Sequence, residues 1–440
     1  MSLGAAFVST ILPTLIPYYD KTIQDLVELK DTVYALFSKG ETASVNSLGA
    51  RVSLRTKVNP NFGNRLEGNP FREPGQNSYQ QLSVAYQRSS ISGGMTDDVI
   101  DQIKDQNSFA ESMAECIATD TMSYKRQQDI DFCLGDGSAR RATVLSVTSG
   151  AAGGSVVVMD AVLGNRLLEQ DGLYVAHDPT TGTAHGVATG HNLTSKTDFQ
   201  TTNFGGDVTS GTTWAAADII VNRGDADGNS SWNLAIYGFT YFANDSGEYF
   251  GLSKDLTDKL RGIREPLGGN NISFSSLLRG EVRWKYRWNE SVVPTMTDFT
   301  SEAQVSVYKN LGFQLRSFLQ DPNSGPVKKF DGAIESISDG NREIIVDNNF
   351  SPSDWFRGDR KIVKHFVLEQ PALWGKDGLQ YRSTISTGVS ASNGVAASPG
   401  QWKGLLSWII AGKENFAALN PARFIWYSGC GTTGSFNGIK

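Results

Sequence analysis

The residues Gly135, Asp136, Gly137, Arg140 and Arg141 fall together in "LGDGSARRATV". Glycines and basic residues at this density invite a phosphate-loop reading. Direction decides against it. A phosphate loop runs from a strand through glycines into a helix, so that free N–H groups and the positive end of the helix dipole face the anion. Here a helical run ends at Leu134, so Gly135 meets carbonyls that carry partial negative charge, and Asp136 adds a full one. Gly135 reads as a helix C-cap and Gly135–Asp136–Gly137 as a turn, with Arg140 and Arg141 capping the last carbonyls or reaching outward.

Other chemistry-bearing residues give no stronger pattern. His177, His185 and His191 match no metal-ligand spacing and no cysteine accompanies them. "RGDADGN", residues 223–229, resembles a calcium loop, but its glycine comes one position early and no Glu closes it, so a polar turn is the better reading. There is no Gly-x-Ser-x-Gly elbow, no His-Glu-x-x-His and no Walker sequence. "HNLTS" fits a glycosylation sequon by pattern alone, and the nine tryptophans could line a sugar groove, although core packing is their commoner use. No catalytic, cofactor-binding or metal-binding residue is expected.

The chain has 440 residues, enough for about three structural units at roughly 150 residues each. Its net charge is −6 with both signs well mixed, which excludes the basic stripe of a dedicated nucleic-acid binder. Cys116 and Cys133 lie on one expected helix, about 25 Å apart at helical rise, and neither they nor Cys430 shows paired spacing. That pattern fits a reducing compartment. The opening "MSLGAAFVSTILPTLIP" has no preceding Lys or Arg, is interrupted by Pro13 and Pro17, and is too short to span a bilayer. It reads as an apolar arm that docks on another surface.

The elements that must position these residues follow from periodicity. From Thr22 to Lys39 the residues Ile23, Leu26, Val27, Val33, Leu36 and Phe37 recur at helical spacing, with Gly40 as a C-cap. "RVSLRTKV" alternates Val52, Leu54, Thr56 and Val58 with Arg51, Ser53, Arg55 and Lys57, the period of a half-buried strand. Its partner is "LSVAYQR", with Leu82, Val84 and Tyr86 on one face. The Asn-, Gly- and Pro-rich stretch between them, residues 59–78, is far longer than an ordinary turn, so the pair reads as a long projecting hairpin. Two strands alone are marginal in water. The hairpin needs a surface, on its own chain or on a neighbour, and the residues around Arg51 to Arg88 read as a finger with no home on its own body.

"SFAESMAECIATDTMSYKRQQDIDFCL" predicts a capped helix about 40 Å long, with Ser108 and Glu111 as a capping box and Phe109, Met113, Ile117, Thr121 and Tyr124 near one face. Lys125, Arg126, Gln127, Gln128 and Asp129 make its C-terminal half read as solvated and free to bend. Beyond Val144 the chain is strand-rich, and residues 179–214, dominated by Thr, Gly, Ser and Asn, predict irregular β structure and loops. Short helices are expected at 252–263, 276–284 and 300–311. Strands are expected in "FDGAIESI", "REIIVDNNF" and "KIVKHFVLEQP", and linkers surround "GLLSWIIA" near the end.

In order of parts and local motifs the sequence resembles the major capsid proteins of tailed phages, the Hong Kong 97 family. The most specific portion is "QLSVAYQRSSISGGMTDDVIDQIKDQNSFAESMAECIATDTMSYKRQQDIDFCLGDGSARRATV". Weaker echoes are "YGFTYFANDSGEYFGLSKD" and "FDGAIESISDGNREIIVDNNFSPSDWFRGDRKIVKHFVLEQPALWGKDG".

The resemblance implies an α+β, Hong Kong 97-like fold. Residues 1–47 would be an N-terminal arm and 48–106 an extended loop. Residues 107–158 would carry the spine helix of a peripheral domain, 159–320 an axial domain, and 321–440 the return to the peripheral domain. It implies a structural protein, not an enzyme, that forms hexamers and pentamers of itself in a virion shell around double-stranded DNA. Assembly would take place in the host cytoplasm, with no membrane and with cement, scaffold and portal proteins as possible partners. The inter-subunit residues would be Arg51, Arg55, Phe62, Arg65, Leu66, Phe71, Arg72 and Arg88. Some members cross-link through a loop-tip lysine; residues 59–78 contain none, so a non-covalent shell is expected. An encapsulin-type compartment and a β-rich carbohydrate-active protein are the alternatives.

Overall fold

The computed structural model describes residues 33–38, 42–43, 49–57, 59, 61, 64, 67, 75–96, 106–149, 155–159, 173–193, 201–205, 214–222, 230–256, 258–288, 296–318, 343–373, 379–385 and 402–431. The chain divides into two compact units, both mixing helices with strands, so the class is α+β. The first takes Met1–Thr32, Arg88–Gln128 and Leu368–Glu414; the second takes Val33–Gln87, Asp129–Val367 and Asn415–Lys440. Among the described residues no helix is long and apolar enough to cross a membrane.

In the first unit the stretch around "GLLSWIIA" is part of a 17-residue strand, β19 (Trp402–Ala418). It neighbours β17 (Val363–Leu373) and β18 (Leu379–Ile385) and also pairs with β4 (Gln87–Thr96). A strand this long takes different partners along its length: β18 runs antiparallel to it only from Leu379↔Trp408 to Ile385↔Trp402. The long helix α2 (Gln106–Leu134) lies against this sheet through polar contacts. Trp408 Nε1 donates to Asp120 at 2.7 Å, and the Ser89 and Tyr124 hydroxyls are 2.6 Å apart. A Cβ at Gly93 would sit 2.1 Å from the Asp120 carboxylate and 2.4 Å from the Trp408 ring nitrogen, so the helix approaches at a position only glycine allows.

In the second unit one sheet separates two cores. Its order is β13 (Ile263–Pro266), β20 (Phe424–Ser428), β16 (Asp354–Gly358), β14 (Thr297–Thr300), β15 (Ile344–Val346), with parallel pairs at both edges and antiparallel pairs inside. The twofold period of a strand sends alternate side chains to opposite faces. Trp355, Ile425 and Tyr427 pack with Leu277 and Trp284 of α4 (Phe274–Trp288) and with Val307 and Tyr308 of α5 (Glu302–Phe318). Phe356 and Phe424 enter the other core, built from Phe132, Phe242, Phe299, Phe350 and Phe416 with Phe239 of the short helix α3 (Phe239–Ala243). Val33, Tyr34 and Phe37 of α1 (Val33–Ser38) are buried in the same cluster. Arg357 is fully buried on the sheet and satisfied there: Nε and Nη2 donate to Asp298 at 2.6 and 2.9 Å, and Nη1 pairs with Glu281 of α4. Further small pieces are β1 (Thr42–Ala43), parallel to His365 and Phe366 of β17, and the two-strand pair β11 (Glu248–Tyr249) and β12 (Leu252–Ser253).

The structure corrects three expectations. Residues 179–214 are not irregular throughout: β8 (Ala184–Leu193) and β9 (Thr201–Gly205) are two staves of a closed barrel with β5 (Arg140–Ser149), β6 (Ser155–Met159), β7 (Leu173–His177) and β10 (Ile219–Asn222). Closure pairs every strand on both sides, so ladder hydrogen bonds carry segments too polar to reveal themselves by alternation. Residues 252–263 form β12, two tight 3₁₀ turns and the start of β13 instead of a helix. Lys254 organises that stretch, its Nζ donating to the carbonyls of Tyr241 at 3.2 Å and Asn244 at 2.8 Å at the end of α3. Finally, the last turns of α2 are not solvated, although Lys125 before them is exposed as expected. Gln128, Asp129, Ile130, Phe132, Cys133 and Leu134 are buried, whereas Ala114, Glu115, Ala118 and Thr119 are exposed. Asp129 there is held by the Tyr34 N–H and the Asn349 amide.

The N-terminal apolar stretch, most of the helix expected over 22–39, and "FDGAIESI" lie outside the described residues.

Candidate assembly surface

The hairpin is an isolated two-stranded ribbon, β2 (Ala50–Lys57) and β3 (Ser78–Val84), joined to no other described strand. Its antiparallel register runs from Ala50↔Val84 through Leu54↔Gln80 to Lys57↔Ser78. Beyond the strands asparagine side chains continue the ladder. The Asn59 backbone N–H donates to Asn77 Oδ1 at 2.9 Å, Asn59 Nδ2 donates to the Gly75 carbonyl at 2.9 Å, and the Asn61 N–H donates to Asn59 Oδ1. Side-chain amides thus do the work of backbone groups where the Pro-containing sequence cannot offer a regular strand.

The two faces of the ribbon differ. Ala50, Leu82 and Val84 are buried in the aromatic core, and Val52 and Leu54 pack partly against it. The base therefore has a home on its own body, contrary to expectation, because alternation places these five apolar residues on one face. On the other face Arg51, Ser53, Arg55 and Lys57 of β2 and Tyr79, Gln81 and Ser83 of β3 are exposed, Tyr79 to 62%. Arg55 is paired in register with Tyr79, and the row carries three cations and no carboxylate. Arg88, at the start of β4, is also exposed. Phe62, Arg65, Leu66, Phe71 and Arg72 lie outside the described residues.

The glycine turn has the opposite character. Gly135 has φ of +56°, its N–H donates to the Asp131 carbonyl at 2.8 Å, and its own carbonyl accepts the N–H groups of Gly238 and Tyr241 at 3.0 Å each. One residue therefore closes α2 and opens α3. A Cβ at Gly135 would lie 2.4 Å from the Phe239 nitrogen. Asp136 accepts the Ser138 N–H at 2.9 Å, and Arg141 turns inward to pair with Asp131. Protein fills the space a phosphate would need. α2 begins at Gln106, which puts Ser108 in its first turn, and the side chains of Ser108 and Glu111 lie outside the described residues.

The histidines are used separately. His177 stacks on Trp232 with ring centres 5.2 Å apart, His185 Nδ1 contacts Asp218 at 2.8 Å, and the His191 side chain lies outside the described residues. So does "RGDADGN". One grouping with metal-ligand donors occurs among the described residues: Asp129, Cys133 and Asp347, with donor atoms within 4.8 Å of one another. Its chemistry is that of two closely spaced carboxyls beside a thiol. Burial, then the neighbouring Asp347 charge, pushes Asp129 up to about 8, and burial with both carboxylates holds the Cys133 thiol well above its ordinary value. A protonated thiol and a carboxyl engaged by Tyr34 and Asn349 are poor ligands.

A second exposed patch escaped the sequence reading. Leu278, Val282 and Tyr286 recur every four residues along α4 and are exposed to 53, 40 and 84%. Val282 and Tyr286 border a cavity of about 350 Å³ lined also by Ile263, Arg264, Arg283 and Arg287 among others. The spacing was legible in "SSLLRGEVRWKYRW"; which face it would leave uncovered was not.

No family model matches the chain, and no curated protein matches its sequence. Three solved structures with a similar course are each of low identity. The cyanophage A-1(L) capsid asymmetric unit is 10% identical with a TM-score of 0.48, covering 95% of this chain and 99% of its own. The capsid of a native GTA particle is 8% identical with a TM-score of 0.46, covering 94 and 95%. A chain of Gordonia phage Cozz is 10% identical with a TM-score of 0.39, covering 94 and 91%.

Proposed function

We propose that the chain is a shell subunit, a major capsid protein of Hong Kong 97-like fold that assembles with copies of itself into the head of a tailed phage around double-stranded DNA. The observation that carries this reading is the ribbon's outer face: seven outward positions of a paired β-ribbon, with three cations and a largely exposed tyrosine, covered by nothing described in the chain. A ribbon finished on one face and bare on the other is completed by a neighbour. Head-to-tail contacts of this kind are heterologous and close into rings, and many modest interfaces sum to a stable shell. The stripe on α4 offers a second place for a neighbour to dock. A chain of net charge −6 suits a container that holds DNA without gripping it, since phosphate neutralisation is what generates affinity.

In this reading residues 1–47 serve as the arm, 48–106 as the extended loop, 107–158 and 321–440 as the peripheral domain, and 159–320 as the axial domain. Hexamers and pentamers are the assembly units, the virion is the location after assembly in host cytoplasm, and cement, scaffold and portal proteins are candidate partners. The test is negative-stain microscopy of the expressed chain beside a variant lacking residues 61–76, with nuclease-protected DNA assayed in particles from infected cells. Regular shells from the intact chain and folded, unassembled subunits from the deletion are expected. Shells of normal yield from the deletion would remove the ribbon from assembly, and particles filled with protein cargo instead of DNA would overturn the phage role.

A further inference from the structure

Asp129 is fully buried and sits beside Asp347, their carboxylate oxygens within 4.8 Å of one another. Each carboxyl also holds the start of α1. Asp129 Oδ1 accepts the Tyr34 N–H at 2.7 Å, and Asp347 Oδ2 accepts the Val33 N–H at 3.4 Å. Asn349 ties the two together, donating its side-chain amide to Asp129 Oδ2 at 2.5 Å and its backbone N–H to Asp347 Oδ1 at 2.9 Å. From α2 itself the Cys133 thiol points at Asp129 Oδ2, 3.9 Å away. From β17 the His365 ring meets the edge of Tyr34. The groups acting on Asp129 are thus another acid, an amide, a backbone N–H and a thiol, none of them a cation. Of two carboxyls this close, the buried one with no cation acting on it holds its proton more tightly.

We propose that Asp129 and Asp347 form a proton-operated latch: one proton on Asp129 lets both carboxyls hold the backbone N–H groups of Val33 and Tyr34, and its loss releases Val33–Ser38 from the aromatic core. The latch does not depend on what the chain assembles into. The direction follows from linkage. Asp129 titrates higher when latched, about 8, than when open to water, about 4. The closed state binds the extra proton, so closure is strongest at low pH and weakens as pH rises through that window. Opening takes Val33, Tyr34 and Phe37 out of the core, so the chain ahead of Val33 is tethered to a segment whose hold depends on pH.

Hydrogen exchange of the Val33–Ser38 amides in the intact chain, corrected for intrinsic rates, tests this between pH 6 and 9.5. Wild type is expected to lose protection about tenfold per pH unit up to about 8 and then level off. Asp129→Asn keeps an acceptor for Tyr34 and has no proton to lose, its amide replacing Oδ2 beside Asn349, so its protection should not change with pH; Asp347→Asn removes the neighbouring charge but leaves Asp129 buried, so its profile should level off at a lower pH than wild type, and it serves if the first variant fails to fold. A flat wild-type profile, an unchanged slope in Asp129→Asn, or parallel loss of protection in β20, which would mean global opening, each overturns the latch.

Discussion

The β2–β3 ribbon and the turn after α2 both reverse the chain, and both pair glycine or asparagine with nearby arginines, yet one is half bare and the other enclosed. At the turn, Gly135 satisfies α2 with its N–H and α3 with its carbonyl, Asp136 serves Ser138, and Arg141 folds back onto Asp131. On the ribbon, Ala50, Leu82 and Val84 are finished while Arg51, Arg55, Lys57 and Tyr79 face water. The difference separates two kinds of importance. Changes at the turn should cost folding, and changes on the ribbon's outer face should cost association alone.

The largest expected effect is at the turn. Gly135→Val places a β-branched residue at a φ of +56° and drives its side chain into the backbone of Gly238 and Phe239. Left-handed strain and overpacking together come to about 4 kcal/mol, enough to leave the chain unfolded or aggregated. Soluble, normally folded Gly135→Val by circular dichroism would mean the turn is not the junction described.

Leu82→Ala probes the one place where the ribbon behaves like the turn. Leu82 is fully buried against Val52's side of the core, and the cavity left behind should cost about 3 kcal/mol, read as a lowered denaturant midpoint. A loss under about 1 kcal/mol would show that the ribbon's base is held only loosely and would return it to the free-standing finger the sequence implied.

That implication failed for a physical reason. Alternation of Val52 and Leu54 against Arg51 and Arg55 fixes which face is apolar, but a strand's own sequence does not say whose surface that face meets. The glycine cap was legible because Gly135 follows a long helical run, and a left-handed residue there is a local property. The buried last turns of α2 were not, because Asp129 is satisfied from afar, by Tyr34 and Asn349, 95 and 220 residues away in sequence. The barrel stayed hidden for the same reason. Its Thr- and Gly-rich staves are held by neighbours, with His177 paired to Ile219 across 42 positions.

The smallest expected effect on stability is the most telling for assembly. Arg51, Arg55 and Lys57 are exposed along one edge-to-edge row, and replacing all three with Glu should change folding stability by no more than about 0.5 kcal/mol per site. The net charge moves by six, from −6 to −12. A neighbour's surface drawn from the same acidic chain then meets repulsion where it met attraction. Light scattering should find shells lost near 0.1 M salt and partly recovered near 1 M, where screening shortens the reach of these charges to about 3 Å. Shells forming equally well at both salts would show that the bare face of the ribbon points at solvent in the particle, and the contrast with the turn would then be one of exposure alone.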